Sequence, residues 1–256
     1  MSWIKDFIKF SKKNNVDYQD IFTQIGQIVE KNMSGGSLRK RKYNKKCNGG
    51  SLQSKDLKKL LSSTYDKKNV DIGDFKVDKS LSGKRAKVYH NQITGQTVTA
   101  HRGTKGLKDW VTDLGMALGY ENGNRFKHAK KVQQKAEKKY GTENMTTIGH
   151  SLAGRLAEKY GQNGKEVITL NKAVTPRTMF SNVSNKQFDI RSTSDPVSAL
   201  QFGQRNRNLS EIKTKTKSPL LEHNTNILNR RVDKTFGIID DNNDIRGEGF
   251  KRKKRC

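Results

Sequence analysis

The stretch that most constrains the fold is Gly149-His150-Ser151-Leu152-Ala153-Gly154, near the middle of the chain. Residues 145–148 before it read as a short buried strand, and residues 152–160 after it have helical spacing and stop at Gly161. A strand that passes into a helix through G-x-S-x-G needs a tight, strained turn. The two glycines remove the Cβ atoms that would collide there. Such a turn lifts the serine hydroxyl above the sheet. It also leaves the backbone N–H of Leu152 at a helix start, where an anionic oxygen is stabilised. The pattern alone is common; its setting between strand and helix makes Ser151 a candidate nucleophile.

The surrounding sequence alternates in the same way. Residues 86–90 and 97–101 are alternating runs flanking Thr94-Gly95, the pattern of a β-hairpin. Residues 126–140 read as a helix ending at Gly141, and 166–170 and 188–191 as further strands. A short helix is expected over residues 53–65. Strands alternating with helices predict an α/β fold with a mostly parallel sheet.

A serine nucleophile at such a turn is followed in the chain by an acid and then a histidine. Of the five histidines, His90, His101, His128 and His150 precede or touch the turn, which leaves His223 as the base. The acids between Ser151 and His223 are Glu158, Glu166, Asp189, Asp195, Glu211 and Glu222. Glu158 belongs to the helix after the turn, Glu166 starts a strand, and Asp189 lies inside one. Asp195, in Ser192-Thr193-Ser194-Asp195-Pro196-Val197, follows a strand in a loop at the sheet's carboxyl edge, where an orienting carboxylate belongs. Its other reading is an aspartate that caps a turn before proline.

With these residues in hand the chain resembles the class 3 lipases, an α/β-hydrolase family, over about residues 84–229. Thr99-Ala100-His101-Arg102-Gly103-Thr104 resembles that family's strand ending in Arg-Gly-Thr, and Asp109-Trp110-Val111-Thr112-Asp113-Leu114 the segment after it. Residues 149–154 resemble its nucleophile elbow, and Asp195-Pro196-Val197 the loop bearing its acid. The resemblance implies an oxyanion hole formed by Thr104 and Leu152 and an activity on lipid or phospholipid esters. Two departures stand out: Ala153 replaces a commoner glycine, and the surroundings of His223 are only weakly family-like. No His/Cys/Asp cluster has metal-ligand spacing, and no metal or cofactor is implied.

Composition describes the flanks. Lys+Arg 52 against Asp+Glu 25 gives a net charge of +27, a field that favours anionic membrane surfaces or double-stranded DNA. Only 31% of residues are hydrophobic and mean hydropathy is −0.93, so one compact region is expected to hold most of the core. The expected organisation is an amphipathic helical segment (1–36), a basic linker and short helix (37–65), a catalytic domain (66–232) and a charged, flexible basic tail (233–256). The first segment fits an interfacial helix or a helix docked on the main domain equally well. No run of about 18 apolar residues is present to span a membrane. Lys5, Asp6, Lys9, Lys12 and Lys13 interrupt any signal-peptide core. Cys47 and Cys256 both lie in basic stretches and read as free thiols.

The tails carry a second resemblance. Met33-Ser34-Gly35-Gly36-Ser37 and Ile245-Arg246-Gly247-Glu248-Gly249 resemble the two site types cut by adenovirus-type maturation cysteine proteases, at Gly36/Ser37 and Glu248/Gly249. The peptide 249–256, ending in Cys256, is similar to the basic cofactor peptide of adenovirus precursor protein VI. That resemblance implies a virion protein, a viral maturation protease as partner, and a role in penetrating host membranes. The contrasting expectation is a non-catalytic basic protein that binds DNA or anionic membrane on a hydrolase scaffold.

Overall fold

The two alternating runs close as a hairpin. Strand β2 (Ala86–Asn91) pairs antiparallel with β3 (Thr97–His101), with Ala86 opposite His101 and His90 opposite Thr97. Gly95 supplies the left-handed residue of the turn (φ 69°). The Asn91 carboxamide oxygen accepts the N–H groups of Ile93 and Thr94 at 3.0 and 3.1 Å, which folds the loop back. This structure, a computed structural model, describes residues 52, 54–104, 123–174, 178, 180–195, 197, 198, 201, 203–206, 208–212, 215, 219–229 and 232–235. The amphipathic N-terminus, the basic run, Gly36, Ser37, Glu248, Gly249, Cys256 and the 109–114 segment lie outside those residues.

Strand β1 (Phe75–Val77) joins β2 antiparallel on its outer side. From β3 the sheet continues in parallel through β4 (Met145–His150), β5 (Glu166–Leu170), β6 (Gln187–Ser192) and β7 (Leu209–Ile212). Strand β8 (Val232–Thr235) then turns back antiparallel on β7. Among the described residues the spatial order of these eight strands follows the chain. The fold is α/β with a mostly parallel sheet. Every residue of β4 and β5 is buried, because strands covered on both faces lose the polar half of the alternation.

One expectation needs correcting. The strand before Ser151 does not stop at Ile148 but runs to His150, with Gly149 beside Thr169 and His150 beside Leu170. The turn is thereby compressed onto Ser151 itself.

The pleat sorts the helices. Helix α1 (Ser54–Ser63) buries Leu57, Leu60 and Leu61 against Tyr89, Val98, Ala100 and Ile148 on one face. The Ser63 and Thr64 hydroxyls bond back to the Leu60 and Leu61 carbonyls at 2.7 Å, where that helix ends. Neighbouring residues on these strands point the other way. There Ala86, Val88 and Met145 meet Val132 and Ala136 of helix α2 (Asn124–Tyr140). Phe126, Ala129, Val132, Gln133 and Ala136 form its buried face, and Lys127, Lys130, Lys131, Lys135 and Lys138 stay exposed. Helix α3 (Leu152–Tyr160) lies alongside, with Leu156 against Phe126 and Ala129. Helix α1, in the stretch read as linker and short helix, is thus part of the central core.

Candidate active site

Between β4 and α3, Ser151 takes φ 62° and ψ −131°, a conformation that costs a non-glycine residue about 1–3 kcal/mol. Backbone bonds hold it there. Ser151 N–H donates to Leu170 O at 3.0 Å, and Ser151 O accepts Gly154 N–H at 2.9 Å and Ala173 N–H at 3.2 Å. A Cβ on Gly149 would overlap the Ala153 carbonyl, and one on Gly154 would come within 3.0 Å of the Lys172 Cβ. The glycines are therefore required by packing on both sides of the serine. The Ser151 Oγ is buried and makes no hydrogen bond among the described residues.

The other two candidate residues meet at the same edge. Asp195 Oδ1 and His223 Nδ1 are 2.7 Å apart, with the carboxylate fully buried and the imidazole nearly so. A carboxylate only accepts, so Nδ1 carries the proton and Nε2 is the basic nitrogen. Asp195 also caps its own loop, accepting Ser198 N–H at 2.9 Å and Val197 N–H at 3.4 Å. The two readings of this aspartate are therefore compatible. The remaining acids are engaged elsewhere. Glu158 lies 3.2 Å from Arg155 and 3.3 Å from Lys172, and Glu166 accepts from Thr146 at 2.9 Å. Glu211 pairs with Arg191, and Glu222 accepts from the Ser192 hydroxyl. Asp189 is fully buried against Lys172 at 2.8 Å; burial opposes its charge, but that cation and its hydrogen bonds hold the carboxyl below its ordinary value.

Thr104 follows β3 by three residues, and β3 runs parallel to β4 with His101 beside Gly149. A Cβ on Gly103 would come within 2.6 Å of the His150 carbonyl oxygen and 3.4 Å of the Ser151 Cβ. The chain leading into Thr104 thus passes directly against the elbow. Leu152 is the first residue of α3, where backbone N–H groups have no acceptor within the helix. Leu152 directly follows the serine, and Gly103, the residue before Thr104, packs against it.

The segment bearing His223 runs between helix α4 (Pro219–Glu222) and a 3-10 turn (Thr225–Asn229). It is bolted by Asn171, a residue sequence reasoning missed. Asn171 adopts φ 44°, which asparagine tolerates better than most side chains. Its Nδ2 donates to Glu222 O and its Oδ1 accepts Ser192 N–H, both at 2.8 Å. His150 was also missed in this role. Its Nε2 is 2.6 Å from the His223 carbonyl oxygen and its Nδ1 is 2.7 Å from the Tyr65 hydroxyl. Burial, reinforced by the facing His223, pushes the His150 imidazole down to about 3. Burial pushes the Tyr65 phenol up to about 12. The only sequence signal for His150 was its place inside the elbow; Tyr65 had none.

Among the described residues no group of three or more His, Cys, Asp or Glu is arranged to hold a metal ion. No helix among them is long and apolar enough to cross a membrane.

The sheet and its elbow define an α/β-hydrolase-like protein. More closely, residues 47–203 match the phospholipase-like family described as the Tle-like phospholipase domain, and the chain belongs to that family. The matched span includes Tyr65, Thr104, Ser151 and Asp195 and ends before His223. No curated protein sequence matches the chain. Among solved structures it is similar to the Lip2 lipase from Yarrowia lipolytica at 18% identity, covering 66% of this chain and 81% of that one with a TM-score of 0.44. It is similar to the Rhizomucor miehei lipase propeptide complex at 14% identity, with 65% and 68% covered and a TM-score of 0.40. A triacylglycerol lipase from Penicillium expansum shares 13% identity, with 63% and 78% covered and a TM-score of 0.39.

Proposed function

We propose that this phospholipase-like protein is a serine-dependent lipid ester hydrolase, of lipase or phospholipase A type. The observation that carries this reading is the Asp195–His223 hydrogen bond, formed at the sheet edge that presents a Ser151 hydroxyl unengaged among the described residues. In the proposed reaction His223 Nε2 takes the Ser151 proton as Oγ attacks the acyl carbonyl. The N–H groups of Thr104 and Leu152 hold the oxyanion, each such donor contributing about 3 kcal/mol. The imidazolium returns its proton to the departing alcohol oxygen. Water, activated by the same nitrogen, then cleaves the acyl-serine ester and releases the fatty acid.

Ser151→Ala is expected to lower hydrolysis of a short-chain ester or phospholipid vesicle by several orders of magnitude without changing the unfolding transition. Hydrolysis equal to wild type in that variant would overturn the serine mechanism. No hydrolysis by the wild type would favour the non-catalytic reading, in which the basic chain binds DNA or anionic membrane.

The biological setting we propose is a virion, with the enzyme used to breach a host membrane. Its support is the resemblance of the two tails to maturation-protease sites and of residues 249–256 to a protease cofactor peptide. Cleavage at Gly36/Ser37 would separate the amphipathic segment from the hydrolase, and cleavage at Glu248/Gly249 would free Cys256 on a basic peptide suited to a mixed disulfide. Intact-mass spectrometry of protein from mature particles is expected to show both cuts. An uncut chain from Met1 to Cys256 would remove this setting and leave the esterase reading in place.

A further inference from the structure

The hydrogen bonds around His150 fix their own directions. A carbonyl oxygen has no proton to give, so at 2.6 Å from His223 O the His150 Nε2 must be the donor. The ring is buried and neutral, and it carries one N–H only. Its Nδ1 is therefore an acceptor, and the proton on the 2.7 Å contact comes from the Tyr65 hydroxyl. The phenol oxygen in turn lies against Gly103, where an added Cβ would come within 2.4 Å of it. Tyr65 O–H and His150 N–H thus point one way and end on the His223 main chain.

The ring of His150 also supports the base directly. Its centroid lies 4.7 Å from that of His223 with the planes 36° apart, and the Tyr65 ring meets it in an edge arrangement at 5.9 Å. Both nitrogens of His150 are committed to these bonds, which leaves no lone pair for proton transfer with Ser151. Gly103 closes on this pair for a steric reason, since a Cβ there would run into the Tyr65 hydroxyl and the His150 carbonyl.

We propose that Tyr65 and His150 are positioning residues: the chain Tyr65–His150–His223, packed against Gly103, holds the base-bearing loop in register with the loop that presents Thr104. This rests on the serine-hydrolase reading of Ser151, Asp195 and His223. Without the chain the segment keeps Asp195 at one ring nitrogen and the Asn171 bond at Glu222 O, but loses the bond at the His223 carbonyl itself. Displacements of about 1 Å in such a constellation cost up to about 100-fold in rate.

The test uses the full chain with Tyr65→Phe, His150→Leu and His150→Gln. Tyr65→Phe removes one oxygen and is expected to lower kcat about 10-fold with KM within about twofold. His150→Leu is expected to lose about 100-fold, and His150→Gln to recover at least about tenfold of that. The glutamine amide nitrogen can still donate to His223 O and its oxygen can accept from Tyr65. Long-range proton–nitrogen correlation spectra are expected to show His150 as the neutral Nε2–H tautomer near neutral pH, and the His223 ring signals moving in Tyr65→Phe. Wild-type kcat in Tyr65→Phe and His150→Leu, or a His150 carrying its proton on Nδ1, would overturn the proposal. Should His150→Leu fail to fold, Tyr65→Phe and the spectra decide it. A wild type without hydrolysis but with the expected tautomer and coupled His223 signals would sink the esterase reading and leave the positioning chain standing.

Discussion

The candidate nucleophile and the candidate base of this site are placed by opposite means. Ser151 is set by its immediate neighbours: β4 delivers it, α3 carries the chain away, and Gly149 and Gly154 remove the atoms that would block the turn. His223 follows a helix of only four residues, and distant partners hold it: Asp195, Asn171 through Glu222, and His150. The first region is a local steric device built from backbone geometry. The second is a long-range polar one, in which each bond has a single donor and a single acceptor. A local device fails as a unit when one Cβ is added. A polar one loosens by steps.

That contrast predicts different failures. Gly149→Val places side-chain atoms on the Ala153 carbonyl and within 2.7 Å of Gly154 N, against backbone that has no rotamer to change. Its expected cost is about 4 kcal/mol or more, read as a large drop in the urea midpoint together with loss of activity. Asn171→Gly keeps the positive φ available but deletes both bolts, leaving Glu222 O and Ser192 N–H without that partner. Here the expected cost is about 2 kcal/mol, with kcat falling by about 10-fold while the protein remains folded. Equal stability losses in the two variants would erase the distinction.

The same contrast explains what the sequence made visible. Helix α3 and strand β5 match their expected ranges, because apolar periodicity and flanking glycines act over a few residues. Helix α2 starts only two residues earlier than periodicity predicts. Strands β1, β7 and β8 have three or four residues each, too short for alternation to register, and they exist because neighbouring strands offer unpaired edges. Chain order singled out His223 as candidate base and the loop after a strand singled out Asp195 among six acids, and the fold brings the two within 2.7 Å. Tyr65 and Asn171 were invisible for a physical reason. A tyrosine at the end of a helix and an asparagine after a strand acquire meaning only when the sheet brings residues 103, 150, 192 and 222 beside them. Local pattern specifies elements; it does not specify which polar atoms meet.

The polar side of the comparison carries a pH signature that the steric side lacks. His150 falls from its ordinary value of 6.5 to about 3 because it is buried and faces His223. In the unfolded chain the ring takes a proton as pH falls through about 6.5, while in the folded protein it resists until about 3. Between those values the unfolded state binds more protons, so stability declines as pH is lowered, by about 1.4 kcal/mol per pH unit for one such group. Above 6.5 both states hold a neutral ring and the contribution is flat. His101, buried and lowered to about 4, adds a loss of the same sign over a narrower window. Urea midpoints measured from pH 7.5 down to pH 4.5 are expected to fall steadily below about 6.5. His150→Gln, which cannot titrate, is expected to fall less steeply over the same interval and to keep the share due to His101. An unchanged slope in that variant would mean that His150 is not held neutral in the fold. The long-range side of the site would then have one bolt fewer, with Asp195 and Asn171 still in place.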